Sequence, residues 1–243
     1  GAGKGFDDLL VVTLGTGVGG GVIVNGELVL GSAGNAGEIG HTTIVMDGRD
    51  CTCGRKGCLE AYVSIRGMRR TYDELDGNKD VLKQEGVQCI ADAALAGNYE
   101  AMQTFHHTVR WLAVALANAV ATTGPARIVI CGGIARSGSL LLDPLKEWFR
   151  KDLLNIYHDR VDLVLSGLGE NEAGILGAAA LTFMNKELKR SVLAENRTTT
   201  RLGSCHPRCS EIGSSSCPFP MYRQPYLVHS RLVLWRKIQP AIW

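Results

Sequence analysis

The sequence predicts a layered α/β domain over residues 1–196. Three observations point to it. Short β-rich runs alternate with helical stretches along the chain. Phe105, Val109, Leu112, Leu116 and Val120 stand at helical spacing within a long apolar segment. The apolar run 127–131 is too short for a helix and ends in Gly132-Gly133, as a buried strand entering a loop does.

The elements follow in order. Residues 9–14 and 21–24 are β-rich, and Asn25-Gly26 after them is the dipeptide of a type I′ hairpin turn. Residues 28–30 are the expected returning strand. Residues 87–96 and 101–122 are predicted helices, the second stopped by Gly124-Pro125. A strand at 127–131, a helix at 140–153, a strand at 161–165 and a small-residue-rich helix at 172–188 complete the series. No internal repeat is visible.

Composition excludes several classes. Of 243 residues, 45% are hydrophobic, 21% charged and 6% aromatic, which excludes whole-chain disorder. The longest apolar stretch, 111–121, is too short to span a bilayer and contains Asn118. No charged-then-apolar leader pattern is visible, so a cytoplasmic location is expected.

The charge divides unevenly. Seven basic residues stand against one acid in residues 197–243, a charge of +6, so a total of +2 leaves −4 on residues 1–196. The last segment also holds five of the seven prolines but two of the 30 glycines, marking it as a separate composition. Residues 1–190 are therefore read as the folded body. Residues 191–243 are read as an atypical basic tail without regular structure, foreign to the core fold and compatible with a frame-shifted or chimeric origin.

Cys51, Cys53 and Cys58 form a C-x-C-x4-C cluster among Gly54 and Gly57, with His41 ten residues upstream. Three thiolates and an imidazole make a tetrahedral Zn²⁺ set, and glycines permit the tight turns that converging thiolates need. A disulfide would leave one thiol odd, and an iron–sulfur cluster lacks a nearby fourth cysteine. Cys89 and Cys131 lie in apolar segments and read as small core residues. Cys205, Cys209 and Cys217 with His206 form a weaker potential ligand set in the tail.

Three glycine patterns invite a phosphate reading. Gly1-Ala2-Gly3-Lys4-Gly5 lacks the Ser/Thr of a P-loop and precedes a strand. Gly15-x-Gly17-x-x-Gly20 matches a dinucleotide fingerprint by letters, but a strand follows it instead of a helix. As a bend between two strands, Leu14-Gly15-Thr16-Gly17-Val18-Gly19 can offer N–H groups and the Thr16 hydroxyl to a phosphate, or be a plain turn.

With these residues in view, the body resembles the ROK family of sugar kinases and sugar-responsive repressors. The resemblance is strongest to its ATP-dependent glucokinases. The carrying stretches are TLGTGVGGG (13–21), GNAGEIGH (34–41), CTCGRKGCLE (51–60), ICGG (130–133) and EAGILGAAAL (172–181). The resemblance implies an actin-like, hexokinase-type ATPase fold, mainly its C-terminal lobe with an inserted zinc loop. It implies zinc ligation by His41, Cys51, Cys53 and Cys58. Glu38 and Glu60, with His41, match the sugar-binding residues. Thr16 and Gly17 match the phosphate-contacting loop, and Gly132 and Gly133 the adenosine-side loop. A carboxylate that accepts two hydroxyl hydrogen bonds suits a polyol. Zinc on one ring nitrogen of His41 would fix the imidazole and aim its other nitrogen at the sugar. The zinc expected here is structural.

The expected chemistry is transfer of the γ-phosphoryl of ATP, with Mg²⁺, to a hexose, glucose at the 6-hydroxyl being favoured. The resemblance also implies a homodimer or tetramer. The family's Asp-x-Gly-x-Thr loop and the catalytic aspartate of its Asn-Asp-Ala-Asn-like stretch have no counterpart in these 243 residues. The chain thus reads as a C-terminal lobe, expected to be inactive and poorly soluble alone. The alternatives are a sugar-sensing repressor fragment of the same family, the one reading that brings a nucleic-acid partner, and a zinc-bound interaction module without a sugar role.

Overall fold

The computed structural model describes residues 1–169, together with 172, 175–177 and 179. The compact unit considered below spans Gly1–Gly174. Most of the helix expected at 172–188, the tail and its cysteine–histidine set lie outside the described residues.

A five-stranded sheet of order β3-β2-β1-β4-β5 organises the unit. β1 (Leu9–Leu14) and β2 (Val18–Val24) form an antiparallel hairpin, and β2 pairs in turn with β3 (Glu27–Leu28). Asn25 and Gly26 have φ of 52° and 75°, as a type I′ turn requires. β4 (Arg127–Cys131) lies parallel to β1, and β5 (Asp162–Leu165) parallel to β4.

The helices are α1 (Glu60–Val63), α2 (Ile65–Glu74), α3 (Lys79–Leu82), α4 (Gln88–Leu95), α5 (Tyr99–Thr123) and α6 (Ser139–Asp152). α5 is the spine. The Asn98 side chain caps it by accepting from the Ala101 N–H at 2.9 Å, and Gly124 ends it in the left-handed region at φ 56°. Phe105, Val109, Leu112, Leu116 and Val120 bury the predicted face. Thr104 and Thr108 are buried beside them, and their hydroxyls return to the carbonyls of Glu100 and Thr104, so no polar group is stranded. α5 packs against α1, α2, α4 and α6. Leu10, Val12, Leu14, Ile128 and Ile130 supply the sheet's share of the same core.

The predicted bounds of β1 and β4 coincide with the observed ones. β2 begins three residues earlier than expected because Val18 already pairs with Leu14. The returning strand is shorter, and α1–α3 were not anticipated. Cys89 and Cys131 are buried, as expected of core thiols. No described helix is long and apolar enough to cross a membrane.

Candidate sugar and metal site

The GEIGH segment docks on β2 through glycines. Gly37 has φ 94°, and a Cβ there would lie 2.7 Å from the Gly20 carbonyl oxygen. A Cβ on Gly20 would meet the Gly37 carbonyl at 2.4 Å, and one on Gly40 would meet the Val18 carbonyl at 2.0 Å. The two backbones therefore touch, which no larger residue permits. A 3-10 turn, Ile39–His41, follows, burying Ile39 and leaving Glu38 and His41 towards solvent.

His41 then faces a small hairpin. Isolated bridges pair Thr43 with Cys58 and Asp50 with Lys56, so the chain doubles back between the cysteines. Gly57 (φ 73°) sits where a Cβ would overlap the Val45 carbonyl, at 1.7 Å. This brings His41, Cys51, Cys53 and Cys58 together, with their ligand atoms all within 4.8 Å of one another. Nδ1 of His41 lies 3.6 Å from Cys51 Sγ, and Cys53 Sγ lies 3.6 Å from Cys58 Sγ. A tetrahedron with Zn–S of about 2.3 Å and Zn–N of about 2.0 Å has S···S edges of about 3.8 Å and S···N edges of about 3.5 Å. The donor set fits such an ion, and no disulfide competes: all three thiols are free. The Arg55 backbone N–H beside Cys53 draws its thiol down to about 6, against the desolvation that opposes it. Burial pushes the Cys58 thiol up to about 11. One thiolate thus comes readily, while a cation entering the cluster must displace the proton of the buried one.

The other ring nitrogen of His41, Nε2, lies 4.0 Å from Glu38 Oε2. One face of the imidazole is turned to the thiols and the other to a carboxylate that is 62% exposed.

Glu60 opens α1 immediately after the cysteine hairpin and is held differently. Its Oε2 accepts from the Val18 N–H at 3.0 Å, and its Oε1 from the Thr52 hydroxyl at 3.2 Å. A Cβ on Gly17 would lie 2.7 Å from Glu60 Oε2, so Gly17 is the residue that lets the carboxylate reach the β1–β2 bend. The Ile65 N–H donates to the Gly15 carbonyl at 2.8 Å, fastening the α1–α2 junction to the same bend. Thr16 at its tip is exposed.

Gly132 follows β4 with φ 97°, and a Cβ there would lie 2.4 Å from the Leu14 carbonyl oxygen. Gly132 is thus needed for close packing against the end of β1, besides any role toward a ligand. Since β1 and β4 are parallel neighbours, residues 15–17 and 132–133 emerge side by side at the carboxyl ends of the strands. That is where open α/β sheets bind ligands. A cavity of about 480 Å³ opens there, lined by Cys131, Gly132, Ala135, Arg136, Ser166 and Glu172 among others.

Sequence reasoning missed Arg49. Its guanidinium donates to the carbonyls of Ala61 (3.1 Å) and Gly67 (3.2 Å), to the Thr71 hydroxyl (3.0 Å) and to Glu74 (2.5 Å). It also lies 4.7 Å from the Tyr62 ring centroid. One partly exposed cation thus pins the cysteine hairpin to α1 and α2. Only its place between Gly48 and the cysteines hinted at a role.

The fold, a mixed sheet flanked by helices, is that of actin-like, hexokinase-type sugar kinases. Residues 1–184 match the ROK family, and the chain belongs to that family. It is 37% identical over 211 residues to a glucokinase of Halalkalibacterium halodurans, covering 82% of this chain and 62% of that protein. It is 29% identical to the xylose repressor of Bacillus subtilis, over 74% of this chain and 45% of the repressor. A crystal structure of a ROK glucokinase from Streptomyces griseus, in complex with glucose and AMPPNP, superposes with a TM-score of 0.68 at 34% identity. That match covers 74% of this chain and 62% of the other. The chain spans about three fifths of the length of the glucokinases it matches.

Proposed function

We propose that this chain supplies the hexose- and adenosine-side half of an ATP-dependent sugar kinase, with glucose the favoured hexose. One observation carries the reading: His41 turns Nδ1 to three converging thiols and Nε2 to Glu38. Bound zinc would tie His41, Cys51, Cys53 and Cys58 into one structural cross-link. His41 then keeps a single ring orientation, with Nε2 free to meet a sugar hydroxyl. Glu38 and Glu60 accept further hydroxyls; Glu60 spends one lone pair on Val18 and one on Thr52 and keeps about two for a ligand. Thr16 and Gly17 face the transferring phosphates, Gly132 and Gly133 the adenosine, and Mg²⁺ accompanies ATP. The 243 residues contain no Asp-x-Gly-x-Thr stretch. Asp50 borders the cleft of Glu60, but it is exposed and pairs with Lys56 at 3.7 Å, so it is not assigned the hydroxyl proton. Binding without sustained phosphoryl transfer is therefore expected of this chain alone. A homo-oligomer is the proposed assembly.

Calorimetry tests the reading. Zinc-loaded protein should take up glucose, lose it on chelation, and regain it when Zn²⁺ is restored. Cys53→Ser should lower both zinc content and glucose affinity at least about tenfold. A folded, zinc-free protein that binds glucose unchanged would sink the reading.

The repressor similarity favours a second reading, a sugar sensor, because the same clamp would serve it. The cavity beyond β4 and β5 weighs towards the kinase, since its size suits a nucleotide. Titration with a non-hydrolysable ATP analogue separates the two: the kinase binds it, and a sensor binds hexose alone.

A further inference from the structure

Thr52 is not one of the sugar-clamp residues Glu38, His41 and Glu60. It is an exposed residue between two of the metal-site cysteines, and its side chain has one partner of consequence, Glu60. The geometry around that carboxylate is unusual for a surface acid. Both oxygens are engaged, Oε2 by the Val18 N–H and Oε1 by the Thr52 hydroxyl, from segments that precede Glu60 by 42 and 8 residues. The side chain is 12% exposed, and Arg66 is no closer than 4.0 Å to it. With each oxygen held by its own donor, the carboxylate plane cannot turn about its terminal bond without breaking one of the two hydrogen bonds. Thr52 borders the same cleft of about 160 Å³ as Cys51 and Glu60.

We propose that Thr52 is the positioning residue of Glu60, and that through it the cysteine hairpin orders the second sugar carboxylate as well as His41. The inference rests on the sugar-binding reading of Glu60. Cys51 and Cys53 bracket Thr52, so whatever fixes those two thiols fixes the hydroxyl between them. The hydroxyl then selects one rotation of the Glu60 carboxylate, and the Val18 N–H locks it. Two lone-pair directions remain, at a set angle, for vicinal hydroxyls. The hydrogen bond is charge-assisted but partly solvated, so its loss should cost a few-fold in affinity rather than abolish binding.

The test compares Thr52→Val, which keeps the shape and removes the donor, with Thr52→Ser, which keeps the donor. Thr52→Val should weaken glucose binding by about three- to tenfold. Thr52→Ser should stay within about twofold of the parent, and both variants should keep full zinc content and an unchanged melting temperature. Hydrogen exchange at the Val18 amide supplies a readout that needs no sugar. It should accelerate in Thr52→Val and not in Thr52→Ser, because a carboxylate freed on one side no longer holds Val18 on the other. Equal affinity and equal Val18 exchange in Thr52→Val overturn the inference. So does loss of zinc from that variant, which would make Thr52 a part of the hairpin's own fold. If the parent binds no hexose, the sugar-binding reading fails, and the Val18 exchange still decides whether Thr52 orients Glu60.

Discussion

Three glycines, at positions 20, 37 and 40, sit where the 3-10 turn carrying Glu38 and His41 meets β2. In the chain they lie apart, Gly20 at the end of a fingerprint-like pattern and Gly37 and Gly40 in the GNAGEIGH stretch. In space they are one contact, with missing side chains replaced by carbonyl oxygens 2.0–2.7 Å from where a Cβ would stand. Gly40 is the tightest, against backbone that cannot move aside. Gly40→Ala should therefore destabilise the fold by about 1–3 kcal/mol, visible as a lower melting temperature, and weaken hexose binding by displacing His41. An alanine variant that melts and binds like the parent would show that the turn relaxes freely. Gly17 and Gly132 obey the same logic, one admitting Glu60 and the other the Leu14 carbonyl.

At the level of elements, α1 and α2 matter most and were least visible. α2 reads IRGMRRTYDE, a short charged stretch with few apolar residues and a glycine in it, although its buried Met68 and Tyr72 stand one helical turn apart. Ser64 nevertheless caps it by accepting from the Gly67 N–H at 3.1 Å, and Arg49 stitches it to the cysteine hairpin. Arg49→Met should cost about 2–3 kcal/mol, since it strips donors from two carbonyls, a hydroxyl and Glu74. It should also change the response to acid. Partial burial works to raise the Glu74 carboxyl, but its bonds to Arg70 and Arg49 outweigh that and hold it below the usual range. A carboxylate with a depressed folded pKa stabilises above its unfolded value and loses that contribution as the pH falls through the folded one. The parent should therefore lose stability on acidification below about pH 4.5, and Arg49→Met should lose less over the same window. Chemical denaturation at several pH values measures both; identical slopes would contradict the pairing.

For the whole molecule, sheet order decides where chemistry can occur. Antiparallel pairing of β1 with β2 and parallel pairing with β4 put two glycine-bearing bends at the carboxyl ends of neighbouring strands, beside the cavity past β4 and β5. The family match ends at residue 184, and the composition changes soon after. We propose that residues 191–243 take no part in the sugar or nucleotide site. A chain ended at residue 190 should bind zinc and glucose with affinities within about twofold of the parent; loss of either would return the segment to the site.

Hairpin, spine helix and buried strand were all legible in the linear chain, because each is written in neighbouring residues, and so was the clustering of three cysteines. An Asn-Gly turn, an apolar face every third or fourth residue, and three cysteines within eight positions act over a few bonds. The clamp itself was not legible in that way. Arg49 reaching Glu74, Gly17 making room for Glu60, and Val18 and Thr52 closing on one carboxylate join segments tens of residues apart. Such contacts exist only after the sheet has set strand order and register, since close approach between distant segments leaves no local period to read.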